Sequence, residues 1–254
     1  MSDEDLDEGR MTLVEHLTEL RSRVIWSAVV LVFFTVVVFV FYNRLLNFLS
    51  GPYENVTKGT QNQACGATAT TGCKLIATGP LEPLLVRVKV STYGGIALAV
   101  PFVFWQIWRF VTPGLHKNER RYGIAFLFAI VILFALGAVT AWLTVEKALE
   151  FLLHAGGSGI QPFLTADKYL TLVALMVAAF GVAFEFPVLL VFLLLVRVVT
   201  TQQLNSVRRY MIVGIVIFSA VITPSSDPFS LFFMAVPMYL FYEIAIVIGR
   251  LMKR

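Results

Sequence analysis

The sequence has 254 residues, of which 58% are hydrophobic and 14% are charged, with a net charge of +4 and a mean hydropathy of +0.80. Soluble domains carry about 25% charged residues, so the composition excludes an ordinary soluble domain and predicts an integral membrane protein. No cluster of Lys and Arg alternates with aromatic residues, which excludes a nucleic-acid surface. The phosphate-binding pattern GxxxxGK[ST] is absent, which argues against ATP hydrolysis.

The chain begins with an acidic segment, residues 1–10, which predicts a flexible tail. Residues 11–254 then predict a single six-span membrane domain. Its first element is a helix, because Thr12 and Glu15 have the spacing of a capping box, and the apolar residues that follow lie on one stripe. This amphipathic helix is expected to lead into the first span.

Apolar runs predict the membrane crossings, because a span needs about 20 predominantly apolar residues. The fold class is therefore all-α, with an even number of crossings and both termini on one side. The runs are 24–46, 93–110, 124–145, 170–196, 211–222 and 229–248.

Most of the 20 Lys and Arg residues flank the side that carries the termini. Cytoplasmic loops are enriched in these residues, so both termini are expected in the cytoplasm. Cys65 and Cys73 then fall in the first outward loop, where an oxidising compartment favours a disulfide. Two free thiols are the alternative.

The fifth run is only 12 residues, or about 18 Å of helix, against a hydrocarbon core of about 30 Å. A locally thinned bilayer and burial against other helices are both open explanations. Pro101, Pro187 and Pro237 lie inside the second, fourth and sixth runs. They predict kinked helices that form a curved concave wall, although proline is also common in ordinary membrane helices.

Glu185 is the acid that lies deep within a predicted span. An ionised carboxylate there costs about 2.5–3.5 kcal/mol on insertion scales. It is expected either at a polar point in a cavity wall or as a protonated acid hydrogen-bonded to a neighbouring helix. Glu243, near the end of the last run, is expected in a buried pair or at an interface.

The sequence offers no set of residues for catalysis. His16, His116 and His154 all lie outside the predicted spans, so a Ser–His hydrolase and a metal centre both lack ligands or bases inside the membrane. No catalytic residue, metal or cofactor is predicted.

The cytoplasmic side carries isolated acids among bases. Glu19 and Arg23 have the i,i+4 spacing of a helical ion pair. Glu119 stands among Lys and Arg in the loop after the second span, which also reads as a solvated positive loop with one neutralising acid. Trp105 and Trp108, just before that loop, are expected in the interfacial aromatic belt.

Four separated segments, HLTELRSR, FVTPGLHKNERR, FGVAFEFPV and ITPSSDPFSLFFMAVPMYLFYEI, together resemble the TatC family. This family is the multispanning core of the twin-arginine protein translocase. The resemblance extends from about residue 11 to residue 250. It implies a multi-pass protein of the bacterial cytoplasmic membrane that binds twin-arginine signal peptides of folded cargo and works with the proton-motive force.

The resemblance also implies roles for individual residues. Glu19 and Glu119 would accept the two signal arginines, since carboxylates bind guanidinium groups bidentately. Asp227 would be the acid of the last outward loop, and it is equally consistent with a helix N-cap followed by Pro228. The remaining positions are Arg21, Phe110 and Leu115 around the arginine site, Glu185 as the intramembrane acid, and Pro52 and Asp227 in outward loops.

The implied partners are TatA-like and TatB-like single-span proteins, further copies of the chain and the lipid bilayer. Ser219 and Thr223, on the short fifth span, would offer hydrogen bonds to a partner helix. A proton-coupled small-molecule transporter that uses Glu185 is the alternative from another class. A purely structural scaffold is the third interpretation, in which Glu19 and Glu119 are replaceable without loss of export.

Overall fold

The computed structural model describes residues 13–58, 75–111, 123–155, 164–195, 198–225 and 227–251. Within these ranges the chain forms helices joined by short turns, and its β pairing is one isolated bridge between Ile76 and Thr165, which agrees with the predicted all-α class. The helices are α1 (Leu13–Val40), α2 (Tyr42–Lys58), α3 (Glu82–Val111), α4 (Gly123–Ala155), α5 (Ala166–Phe184), α6 (Phe186–Leu195), α7 (Thr201–Ser206), α8 (Arg208–Ile222) and α9 (Pro228–Leu251).

Five segments of the described chain are long and apolar enough to cross a membrane. They are Leu17–Val40, Glu82–Arg109, Ala125–Ala155, Ala166–Leu195 and Pro228–Leu251. The predicted fifth run forms α8, whose 15 residues extend about 22 Å, short of a typical hydrocarbon core. Each of the five long apolar segments of the described ranges thus overlaps one of the predicted runs, while α8 is too short to count as a span by length.

The first predicted span ends earlier than expected, because the chain turns at Phe41 and starts a separate helix, α2. Pro52, which was expected in an outward loop, lies buried inside α2. The apolar spacing of Leu45, Leu49 and Tyr53 gives α2 one buried face, and this face keeps the segment helical in spite of the proline. The loop assignment of Pro52 was therefore wrong.

Helices α1 and α3 pack in an antiparallel pair, as contacts along their length demonstrate. At one end of the pair the Arg87 guanidinium lies 4.2 Å from the centre of the Phe39 ring and donates to the Phe39 carbonyl oxygen at 3.1 Å. In the middle, Gly95 lies directly against the backbone of Thr35. Most of the remaining surface of α1 is exposed, so α3 is the main support of this helix.

The core of the molecule is centred on α5, which packs on α3, α4 and α9. Tyr169, Met176 and Phe180 are fully buried in it. The Tyr169 hydroxyl donates to the Leu49 carbonyl oxygen at 2.6 Å, and this bond attaches α2 to the core.

Of the predicted proline kinks, the one at Pro187 coincides with an interruption of the helix, between α5 and α6. Proline lacks an N–H and its ring collides with the carbonyl four residues earlier, which explains the interruption. Helices α3 and α9 continue through Pro101 and Pro237.

Candidate functional site

The first candidate site residue, Glu19, lies where the start of α1 meets the end of α3. Its neighbour one turn later, Arg23, donates from Nε to Glu19 Oε1 at 3.2 Å, and Arg23 Nη2 contacts the same oxygen. Arg23 Nη1 lies 3.5 Å from both the carbonyl oxygen and the side-chain Oε1 of Gln106, on α3. The guanidinium therefore links the two helices at this end.

This polar cluster is largely shielded from solvent. The side chains of Glu19 and Arg23 are 23% and 14% exposed. Glu19 Oε2 is buried and accepts no hydrogen bond from the described part of the chain. Arg21 is exposed and lies about 200° around α1 from Glu19, on another face of the helix. Arg21 therefore does not belong to the Glu19–Arg23 cluster.

The second candidate acid, Glu119, and its neighbour Leu115 lie outside the described residues, as do Cys65 and Cys73. The backbone of Phe110 belongs to the last turn of α3, and its side chain is outside the described part. The loop that carries Glu119 follows directly after Val111. It therefore begins at the end of α3 that holds Gln106, next to Arg23 and Glu19.

The Trp108 ring, which was expected in the interfacial belt, packs within the protein. It stacks on Phe126 at a centroid distance of 4.3 Å and meets Phe192 edge-on at 5.5 Å. It is only 8% exposed. This aromatic cluster packs the end of α3 against α4 and α6. It therefore holds in place the helix end after which the segment with Glu119 follows in the chain.

Glu185 occupies the junction between α5 and α6 and is 3% exposed. Both carboxylate oxygens are buried without a hydrogen-bond partner among the described residues. The expected hydrogen bond to a neighbouring helix is not found among the described residues. Two apolar cavities of about 370 and 450 Å³ lie between the helices, and Glu185 lines neither of them.

Glu243 forms an ion pair, although the pair is partly exposed and not buried as one of the two expectations had it. Its Oε2 accepts from Arg208 Nη2 at 2.7 Å and its Oε1 accepts from the Tyr239 hydroxyl at 3.0 Å. The pair attaches the start of α8 to α9. Both charged side chains remain partly exposed, so the pair contributes modestly to stability.

Asp227 caps α9, one of the two roles considered for it. It is 1% exposed, and its carboxylate accepts from the Ser230 backbone N–H at 2.7 Å and from the Ser230 hydroxyl at 2.6 Å. Pro228 occupies the first position of the helix. The cap satisfies donors that the helix start would otherwise leave buried and unpaired.

Ser219 and Thr223 face inward, against the expectation that they offer hydrogen bonds to a partner helix. They are 0% and 3% exposed. The Ser219 hydroxyl lies 3.9 Å from the sulfur atom of Met238 on α9. The Thr223 hydroxyl donates to the Ser219 carbonyl oxygen and lies 3.8 Å from the sulfur atom of Met234 on α9. A docked helix could not reach them in this arrangement. The exposed face of α8 is apolar instead, and includes Val213, Ile217 and Val221.

Comparison with known proteins agrees with this architecture. Residues 15–237 match the family model described as Sec-independent protein translocase protein (TatC). A curated relative from Frankia casuarinae, "Sec-independent protein translocase protein TatC", is 38% identical over 98% of this chain and 68% of its own length. A relative of the same name from Aquifex aeolicus is 36% identical over 96% of this chain and 97% of its own length.

A solved structure described as the "Twin Arginine Translocase Receptor- TatC" superimposes with a TM-score of 0.74 at 35% identity. The superposition covers 94% of this chain and 100% of the solved one. Sequence and structure thus agree over nearly the whole length. The chain belongs to the TatC family of Sec-independent protein translocases and is a multi-pass membrane protein.

Proposed function

We propose that this protein is the signal-peptide receptor and core subunit of a twin-arginine translocase, which exports folded proteins with energy from the proton-motive force. One observation carries the proposal beyond family membership. Glu19 already holds an arginine side chain, Arg23, in a largely buried setting beside the start of the Glu119 loop. A carboxylate in this environment suits guanidinium recognition, because the fork of an arginine matches two carboxylate oxygens.

In the proposed arrangement Glu119 provides the second acceptor, so that each signal arginine meets one acid. Phe110 and Leu115 flank the site with apolar surface, and Arg21 stays on the solvent side of α1. A lysine pair would bind more weakly, because an ammonium group is a strongly hydrated point charge without the fork.

Binding of a fluorescent twin-arginine signal peptide to the purified chain in detergent tests the proposal. We expect Glu19→Ala, Glu119→Ala and a twin-lysine peptide each to weaken binding at least about tenfold, or about 1.4 kcal/mol. Glu150→Ala is the matched control, since Glu150 is an exposed acid near the end of α4 that lies farther along the chain from Glu119. Equal affinities for both peptides and all variants would exclude an arginine receptor and favour the scaffold interpretation.

For the topology we propose six crossings with α8 as the short fifth, both termini in the cytoplasm, and a curved wall that encloses the region of Glu185. The location is the bacterial cytoplasmic membrane. A membrane-impermeant maleimide should then label Cys65 and Cys73 from outside, and only after reduction if the two are joined by a disulfide. Labelling from the cytoplasmic side alone would reverse the topology.

The proposed partners are TatA-like and TatB-like single-span proteins and further copies of the chain. Their helices are best accommodated by the exposed apolar stripe of Val213, Ile217 and Val221 on α8, whose spacing of four residues keeps the three on one face. Cysteine crosslinking from Ile217→Cys to a partner helix tests this contact, with the buried Ile215→Cys as the matched control.

A proton-coupled small-molecule transporter is less well supported. Both described cavities are lined almost wholly by apolar side chains, while a site for a polar substrate needs convergent polar groups.

A further inference from the structure

The Glu19 carboxylate is already occupied by an arginine of the same chain. Nε and Nη2 of Arg23 both approach the single oxygen Oε1, while Nη1 lies 3.5 Å from two acceptors of Gln106. Every nitrogen of the guanidinium therefore faces one of these two residues. With only 14% of the Arg23 side chain exposed, an incoming arginine cannot reach Oε1 unless Arg23 moves.

The internal pair does not use the full capacity of the carboxylate. A carboxylate offers two oxygens and about four lone-pair positions. Both contacts of Arg23 fall on Oε1, whereas Oε2 is buried and accepts no hydrogen bond within the described ranges. A fork-to-fork pair would satisfy both oxygens and would be stronger than the bond that Arg23 makes. In the unliganded chain Arg23 therefore contacts one oxygen of the carboxylate, and the other oxygen accepts no hydrogen bond from the described residues.

We propose that Arg23 competes with the signal peptide for Glu19. In the unliganded chain Arg23 occupies the Glu19 carboxylate, and it moves toward Gln106 when a signal arginine binds. This inference rests on the proposed function, because it assumes that Glu19 is an acceptor for a signal arginine. The movement keeps Arg23 hydrogen-bonded, because Gln106 supplies two oxygens that already lie within 3.5 Å. Binding therefore exchanges one arginine for another at the same carboxylate.

Such an exchange takes the same free energy from every incoming cation, so it sets a threshold for binding and leaves the difference in affinity between two ligands unchanged. A ligand gains only the difference between its own bond to Glu19 and the bond of Arg23, so a cation without the guanidinium fork gains little and does not displace it. A signal arginine gains because it can also satisfy Oε2. Isolated lysines and single basic residues of cytoplasmic proteins would accordingly be excluded.

A merely structural role for Arg23 predicts the opposite result from competition. If the residue only joins α1 to α3, its removal loosens the site and weakens peptide binding. If it competes, its removal frees the acid and strengthens binding. The sign of the change in affinity therefore distinguishes the two roles.

The experiment measures the affinity of a fluorescent twin-arginine peptide for the full chain in detergent. We expect Arg23→Gln to bind about two- to fivefold more tightly, as release from an ion pair worth up to about 1 kcal/mol allows. The gain should vanish in the double variant that also carries Glu19→Gln. It should be smaller in Arg23→Lys, which keeps the charge but not the fork.

Arg250→Gln is the matched control. Arg250 lies in the last turn of α9 and donates to Asn205, so its loss removes the same charge without touching Glu19. An equal gain in Arg250→Gln would assign the effect to bulk charge and overturn the proposal. Unchanged or weaker binding by Arg23→Gln, or by Arg23→Lys should the first variant fail to fold, would also overturn it.

Failure of the proposed function has a different signature. In that case the wild-type chain itself would not distinguish twin-arginine from twin-lysine peptides. Arginine-dependent binding by wild type with no gain in the Arg23 variants would leave the receptor function intact and reject the competitor.

Discussion

Substitution of Gly95 by alanine should weaken the pairing of α1 with α3. A Cβ atom at this position would lie 2.2 Å from Thr35 Oγ1, 2.6 Å from Thr35 Cα and 2.7 Å from Thr35 N. Comfortable separations of carbon atoms are about 3.5–4.0 Å, so the helices would have to separate by about 1 Å. A rotamer change cannot relieve the clash, because two of the three atoms belong to the backbone.

Over-packing of this kind typically lowers stability by about 1–3 kcal/mol. Alanine is also a better helix former than glycine by about 0.8–1.0 kcal/mol, which partly conceals the loss. Gly214→Ala in α8 provides the matched control, since a Cβ there would meet no atom within 4 Å. The difference between the two variants isolates the packing effect and should be about 1–3 kcal/mol.

Thermal unfolding of the detergent-purified variants, followed by size-exclusion chromatography after heating, measures the difference. About 1 kcal/mol shifts the midpoint by about 2–4 °C in a chain of this size, so Gly95→Ala should unfold at least about 2 °C below Gly214→Ala. The separation should also weaken binding of the signal peptide, because Arg23 and Gln106 bridge the same two helices. Identical midpoints for the two variants would refute the close approach of α1 and α3.

Tyr169→Phe removes the hydrogen bond to Leu49, so stability should fall by about 1 kcal/mol, and amide exchange should accelerate across residues 42–58 more than elsewhere. Asp227→Ala removes the cap on Ser230 and should lower the free energy of unfolding by about 1–2 kcal/mol. Asp227→Asn keeps an acceptor and should lose less than half as much, and equal losses would contradict the capping role. Glu185→Gln breaks no hydrogen bond within the described residues, so its midpoint should equal or exceed that of wild type, and a lower midpoint would contradict the absence of a partner.

Local properties of the chain account for what could be predicted. The length of each apolar run is a local property of the sequence, and these runs located the apolar helices of the described ranges, including the short α8. Of the three prolines expected to kink helices, Pro187 coincides with a helix interruption. Helices α3 and α9 continue through Pro101 and Pro237, so residue type alone did not decide where a helix is interrupted. The capping role of Asp227, one of two considered, follows from the adjacent Pro228.

Contacts between distant segments could not be predicted in this way. From the sequence, Pro52 was expected in a loop, and only the structure reveals the buried face of α2 on which it lies. From the sequence, Trp108 was expected in the interfacial belt, and only the structure reveals its packing against Phe126 and Phe192. Ser219 and Thr223 are polar by type, but the rotation of α8 turns them toward α9. Each of these environments depends on helix orientation, which hydropathy does not specify.

The sequence by itself determined that this is an all-helical membrane protein of the TatC type, and it singled out Glu19, because motif and hydropathy are properties of the linear chain. Only the tertiary structure decided the state of that acid. The antiparallel packing of α1 on α3 brings Gln106 to Arg23, and Arg23 in turn donates to one oxygen of Glu19. The other oxygen is buried without a hydrogen bond from the part of the chain that the structure describes. The physical reason is that hydrogen-bond partners separated by more than 80 positions in the chain meet only once two helices are docked in one register.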